Sequence, residues 1–139
     1  MSHAIIRQLF EARLTDWAAA RTLTLRIAYE GAAFTPADGE TYLKAFAIPA
    51  GTGSNTLAGD HHVYTGVFQV SIVTPSGSGP GEAEGLVDEI AALFPLYERN
   101  TKGALTIVTM TPVDPGPGIP DDTTFTVPVS FMYRADTGL

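Results

Sequence analysis

Cysteine is absent from all 139 residues, so a disulfide framework, a thiolate metal site and a thiol nucleophile are all excluded. Cations are scarce as well. Eight lysines and arginines stand against fifteen aspartates and glutamates, a net charge of −7. That balance disfavours nucleic-acid binding as the main role, because such affinity comes mostly from cations on phosphates. No segment approaches the roughly 20 apolar residues that span a bilayer, so no membrane partner is expected. The opening residues, MSHAIIRQLFEARL, lack the basic leader and long apolar run of a signal peptide. There is no internal repeat and no linker, so one domain over residues 1–139 is expected, burying roughly two-thirds of the unfolded chain's surface. A hydrophobic share of 45% with 17% charged residues argues against disorder.

The most informative stretch is GVFQVSIVTPSGSGPGEAEGLVDEIAALF, residues 66–94. Phe68, Val70 and Ile72 alternate with Gln69, Ser71 and Val73, the period of a strand with one face on a core. Pro75 to Gly81 cannot continue that strand. Pro80 stands where a first helical turn tolerates proline, with Ser78 or Gly79 as N-cap and Glu82 close behind. Ala83, Leu86, Val87, Ile90, Leu93 and Phe94 then form one apolar face, with Glu84 and Asp88 outward. Gly85 costs that helix about 1 kcal/mol relative to alanine, and Pro95 ends it near Phe94.

An N-terminal helix is expected over residues 3–18. Ile6, Leu9, Phe10, Leu14 and Trp17 fall on a single stripe. Leu23, Leu25, Ile27 and Tyr29 alternate as a strand, followed by a turn or short loop at 31–39 and a second strand over 42–49. Residues 50–62 (AGTGSNTLAGDHH) are expected as a loop, with a third strand at about 63–74. A fourth strand is expected at 104–111. The proline- and glycine-rich segment 112–122 is expected to have no regular structure, and the longest strand follows it from Phe125 to Tyr133. Pro128 has no N–H to donate, which implies an edge or a bulge. The expected fold is α+β, in the order αβββαββ, with a mainly antiparallel sheet and two helices packed on one face. The other face would carry Thr24, Ala28, Thr124, Thr126, Ser130 and Met132, a surface suited equally to solvent or to another protein.

Reactive groups are harder to find. The Gly77–Gly81 turn resembles a phosphate cradle, but Glu82 stands where a dinucleotide fingerprint needs glycine, and the lysine of a P-loop is missing. Glu82 and Glu84 further repel an anion from that helix N-terminus and stabilise its dipole instead. Asp60, His61 and His62 are adjacent, yet neighbours on an extended chain point apart, and only His3 arriving in space could join them. Asp121 and Asp122 sit where aspartate serves local turn bonding, and two carboxylates without a pocket make no acid–base dyad. No catalytic residue, metal site or cofactor is expected.

Candidates for protein contact are better placed. Arg13 puts a charge inside the apolar stripe, so its stem lies on the core with its head in water, or it pairs with a carboxylate on the sheet or a neighbouring subunit. The loops 50–62 and 112–122 carry lone apolar residues, Leu57 and Ile119, and Asp121 follows Ile119; together with Arg13 these are the candidate interface residues. Charge is also uneven: Arg7, Arg13, Arg21 and Arg26 make residues 1–26 basic, whereas 27–98 hold Lys44 against nine acids. These halves would attract each other between copies, or folding would mix them over one surface.

Taken jointly, IIRQLFEARLTDWAAA, LTLRIAYEG with the following Phe34 and Pro36, GVFQVSIVTPSGSG, the helix ending in IAALFP and the strand VPVSFMYR resemble the lambda-like phage tail terminator family. The element order and the length fit as well. The resemblance implies a structural virion protein, with a homo-hexameric ring at the head-proximal end of the tail tube, or a monomer until the tube end templates closure. Its partners would be its own copies, the tail tube protein and the head–tail connector protein, assembled in the host cytoplasm. DNA would pass through the ring without specific binding, past the acidic middle of the chain. Such a ring needs one patch to meet a different patch on the next copy. Alternatives are another neck or head–tail completion protein, or a small-molecule-binding α+β protein with a deep polar cleft.

Overall fold

A computed structural model describes residues 3–54, 62–77 and 79–137. Helix α1 (His3–Ala20) is followed by strands β1 (Arg26–Tyr29), β2 (Tyr42–Ser54) and β3 (His62–Pro75), and helix α2 (Gly81–Leu93) comes next. Five strands complete the chain: β4 (Arg99–Lys102), β5 (Leu105–Thr109), β6 (Asp114–Pro115), β7 (Ile119–Pro120) and β8 (Thr124–Thr137). The fold is α+β, as expected. All five expected strands are present, and β4, β6 and β7 are additions. The sheet runs β1-β2-β3-β8-β5-β4, with β6 and β7 paired to β8. Every pairing is antiparallel except β1 with β2.

Parallel neighbours need a crossover of about a dozen residues, usually a helix. Here an irregular segment, residues 30–41, makes it. Arg26 holds that segment closed by bonding both carboxylate oxygens of Glu40 at 2.7 Å and the Thr35 carbonyl at 2.9 Å. Its guanidinium lies over Phe34, 4.6 Å from the ring centroid, and Phe34 packs on Tyr42 at 5.1 Å. The expected start of β1 at Leu23 is corrected: Leu23 is 76% exposed and the strand begins at Arg26. Arg21 explains this, because its Nη1 bonds the Leu23 carbonyl and bends the chain outward.

Two further expectations change. Residues 50–54 continue β2 instead of opening a loop, and His62 is the first residue of β3. Beyond Ala45, β2 has no strand on its outer side among the described residues. The Glu30 carboxylate accepts the Ala47 N–H there at 2.8 Å, and Pro49 has none to offer. Second, the N-cap of α2 is Pro80 rather than Gly79, with no side-chain cap bond; Ser78 lies outside the described residues. The helix ends at Phe94, before Pro95. Pro128 sits inside β8, opposite Ser71 of β3. Its carbonyl accepts from the Gly116 N–H at 2.7 Å. Because a residue's N–H and C=O point the same way in an antiparallel ladder, its ring nitrogen faces the 112–122 segment and costs β3 no bond.

Both helices cover one sheet face. Ile6, Phe10 and Leu14 of α1, and Ala83, Leu86 and Ile90 of α2, are buried against Phe68, Val70, Ile72, Val129 and Phe131. Four phenylalanines meet at the centre. Phe10 lies 5.2 Å from both Phe68 and Phe131, and Phe94 lies 4.9 Å from Phe131 and 5.8 Å from Phe10. Such tilted and edge-on contacts add about 0.5–1.5 kcal/mol each beyond area burial. Gly66 leaves room for Tyr133: a Cβ there would meet Tyr133 Oη at 2.3 Å and the Ile48 carbonyl at 2.7 Å. His3 completes this end, with Nδ1 3.1 Å from Tyr133 Oη and Nε2 3.1 Å from Thr52 Oγ1.

Replacing Phe10 by alanine is expected to lower stability by about 3–5 kcal/mol in urea unfolding. Gly66→Ala should cost about 1–3 kcal/mol, because the Ile48 backbone cannot move aside. An unchanged urea midpoint for Gly66→Ala would show that the contact with Tyr133 is not tight.

Candidate protein interfaces

Arg13 does its bonding inside the chain. Its Nη1 donates to Glu98 Oε1 and to the Leu93 carbonyl at 3.3 Å, its Nη2 to Asn100 Oδ1 at 2.6 Å, and its guanidinium lies over the Phe94 ring. One cation therefore satisfies the carbonyl end of α2 and ties it to the start of β4. Ile119 is 56% exposed on β7. Asp121 is exposed and turns the chain into β8: its N–H donates to the Thr124 carbonyl and its Oδ1 accepts from the Asp122 N–H, both at 2.8 Å. Leu57 lies outside the described residues, as do Asp60 and His61. Ile119 and Asp121 thus share one rim, whereas Arg13 belongs to the α2–β4 corner.

The segment 112–122 is not irregular throughout. Asp114–Pro115 and Ile119–Pro120 pair with β8, and Gly118 lies flat on Phe125, where a Cβ would fall 2.3 Å from the ring. This bracket and α2 form the walls of a groove of about 580 Å³, lined by Pro80, Val87, Phe125 and Val127 with Glu84 and Asp88 at its margin.

The sheet face opposite the helices carries more apolar surface than its threonines and serines suggest. Register places Ile48 beside Val67 and Val67 beside Met132, and the Met110 N–H bonds the Met132 carbonyl at 2.8 Å. Ile48, Met132 and Met110 are 47%, 48% and 39% exposed, so a row of apolar side chains crosses the open face. A third exposed apolar site is the α2–β4 corner. Leu96 and Tyr97 are 41% and 65% exposed, and Tyr97 is held at φ 62° while its N–H bonds the Thr109 carbonyl at 2.7 Å. A left-handed backbone costs a non-glycine residue roughly 1–2 kcal/mol. Sequence reasoning named the open face, with Met132 on it, but not the row, and it missed the corner. The row needs the strand pairing to be seen, whereas the corner has a sequence signal, two apolar residues just after a helix-ending proline.

Charge distribution settles largely within the chain. Arg13–Glu98, Arg21–Glu89 and Arg26–Glu40 join the basic N-terminal part to the acidic middle, while Arg7–Glu11 and Arg134–Asp136 are local. Folding mixes the two halves over one surface. Arg21 clasps Glu89 with two bonds of 2.9 Å, which holds the Glu89 carboxyl below its ordinary range. Arg26, together with the Ala37 N–H, holds Glu40 at about 2. Burial raises the phenols of Tyr29 and Tyr133. Every buried side-chain nitrogen and oxygen among the described residues has a partner, and no group of three metal-ligating side chains occurs among them.

A model for the phage tail terminator protein family matches residues 5–133. The chain belongs to that family, whose members are structural virion proteins, and it is therefore a phage tail component. A solved structure is similar throughout, at 42% identity and a TM-score of 0.82, covering 100% of this chain and 97% of its own. No curated protein matches the chain.

Because its pKa is depressed on folding, Glu40 should stabilise the fold fully above its ordinary value of 4.5 and lose that contribution as pH falls toward about 2. Carbon-detected NMR titration should place its midpoint there, and Arg26→Gln should raise it toward the ordinary carboxylate range, with the Ala37 N–H still holding it somewhat low. Arg13→Ala should cost about 1–3 kcal/mol in thermal or urea unfolding, since it leaves Leu93, Glu98 and Asn100 without their shared donor.

Proposed function

We propose that this tail protein forms a ring on the head-proximal end of the tail tube, stops its polymerisation and offers the surface on which the head is received. The family match over residues 5–133 carries the reading. The shape of the molecule supports it. One sheet face is sealed by α1 and α2, so the chain has a dry side and an open side. The open side carries the Ile48–Val67–Met132 row, a contact of the kind that a preceding layer of tube subunits can cover. Strand β2 ends in an exposed stretch, residues 49–54, which presents an arm toward neighbouring subunits. DNA passes such a ring without adhering, because the described surface has few free cations.

Nothing in this role requires bond chemistry. The helix–sheet interface is filled by aromatic and aliphatic side chains, and Arg13 beside it is spent on Glu98, Asn100 and Leu93. The protein acts by geometry: it matches the last tube layer on one side and presents a different surface on the other.

Tails assembled without this protein should have overlong or polydisperse tubes in electron micrographs. Tubes of normal length that merely lack heads would instead assign the protein to head–tail joining, and normal particles would refute both.

A further inference from the structure

With no cysteine in the chain, no thiol intercepts an oxidant, and the methionine thioethers are the side chains that peroxide oxidises most readily. There are three methionines, and two of them stand side by side, the Met110 N–H bonding the Met132 carbonyl at 2.8 Å. Phe131 and Tyr133 of β8 and Ile107 of β5 belong to the core under the helices. Met132 lies between the first two, and Met110 lies an odd number of residues beyond Ile107, so strand alternation turns both to the open face. They are 48% and 39% exposed and form one end of the apolar row that continues through Val67 to Ile48. Met132 also borders a hollow of about 390 Å³ that it shares with Val67, Pro112 and Ser130, ample room for a molecule the size of hydrogen peroxide.

We infer that Met110 and Met132 are an oxidation site: peroxide converts both thioethers to sulfoxides in the free chain and so disables the open face for docking on the tail. This rests on the reading that a tube layer covers that face, and it names the residues through which docking is lost. In each step the sulfur lone pair takes the near oxygen of hydrogen peroxide as the O–O bond breaks. Sulfur is oxidised by two electrons. The far oxygen leaves as hydroxide and becomes water with the proton shed by the transferred oxygen. The product carries a polar S–O group where a flexible apolar chain stood. Both side chains are at the surface of the free chain, where water solvates the new oxygen and the fold survives. Under a covering layer that oxygen is stripped of water against Val67 and Ile48, which is unfavourable. The finished assembly in turn shields both sulfurs from further attack.

Free protein and finished tails treated with dilute hydrogen peroxide and read by peptide mass spectrometry test the site. Met110 and Met132 of the folded free chain should each gain one oxygen at nearly the rate of the urea-unfolded chain, whereas finished tails should protect both. The oxidised chain should still unfold cooperatively on heating, yet complete about tenfold fewer tails. Methionine sulfoxide reductases acting on both sulfoxide epimers should restore completion. Met110→Leu/Met132→Leu, whatever its own level of completion, should lose nothing further to peroxide. Folded chains whose two methionines resist peroxide would overturn the proposal, as would oxidised chains that complete tails normally or a peroxide loss that persists in the leucine variant. Equal oxidation in free chains and in tails would overturn it too, because the face would then stand uncovered. Oxidised chains that leave headless tubes of normal length would keep this site and remove the tube-stopping role instead.

Discussion

Phe10, Phe68, Phe94 and Phe131 come from α1, β3, the end of α2 and β8, and their mutual contacts are the constraint on which the rest depends. A helix stripe and a strand face have different periods, 3.6 and 2, and they meet productively only at a few places. The rings are large and planar, so they tolerate that mismatch by tilting. Around them the β3–β8 pairing runs unbroken from Val63–Asp136 to Pro75–Thr124, which keeps Phe68 and Phe131 directly opposite. Shift that register by one residue and the whole set would turn to the open face. The helix layer and the strand pairing therefore specify one another.

Much of this was legible in the residues. The stripe Ile6–Phe10–Leu14, the alternation Phe68–Val70–Ile72 and the stop at Pro95 each report a local period or a steric rule, and each is realised. What was not legible depends on partners distant in sequence. Arg99–Lys102 is too short and polar to announce a strand, and exists because β5 offers it an edge. Leu23 continues an alternating pattern yet lies outside, because Arg21 holds its carbonyl. The segment 112–122 reads as irregular from its prolines, whereas Gly116 and Gly118 let it lie against Pro128 and Phe125. For the candidate site the same division holds. Ile119 and Asp121 stand exposed on a rim, but the apolar row from Ile48 to Met132 needs three strands in register before it exists.

Charge follows a parallel logic. With so few cations, most arginines are committed to holding the fold. Arg13 closes a helix end, Arg21 joins the two helices, and Arg26 straps the crossover between parallel strands. Arg26 also draws on Phe34, which gives the planar guanidinium a second kind of contact that lysine would not match. A surface that has used most of its positive charge internally becomes selective by subtraction. What is left over is sparse, local and readable.

The carboxylate of Glu30 on the Ala47 amide, with Pro49 two residues on, carries one more consequence. A long strand with an open flank is a template for uncontrolled stacking of like chains. Here the first amide past β1 is occupied and the next outward position has no hydrogen to give, so main-chain pairing is blocked at those two positions. The flank is thereby interrupted as a template at its middle, and a strand laid along it would forfeit its bonds at those two places.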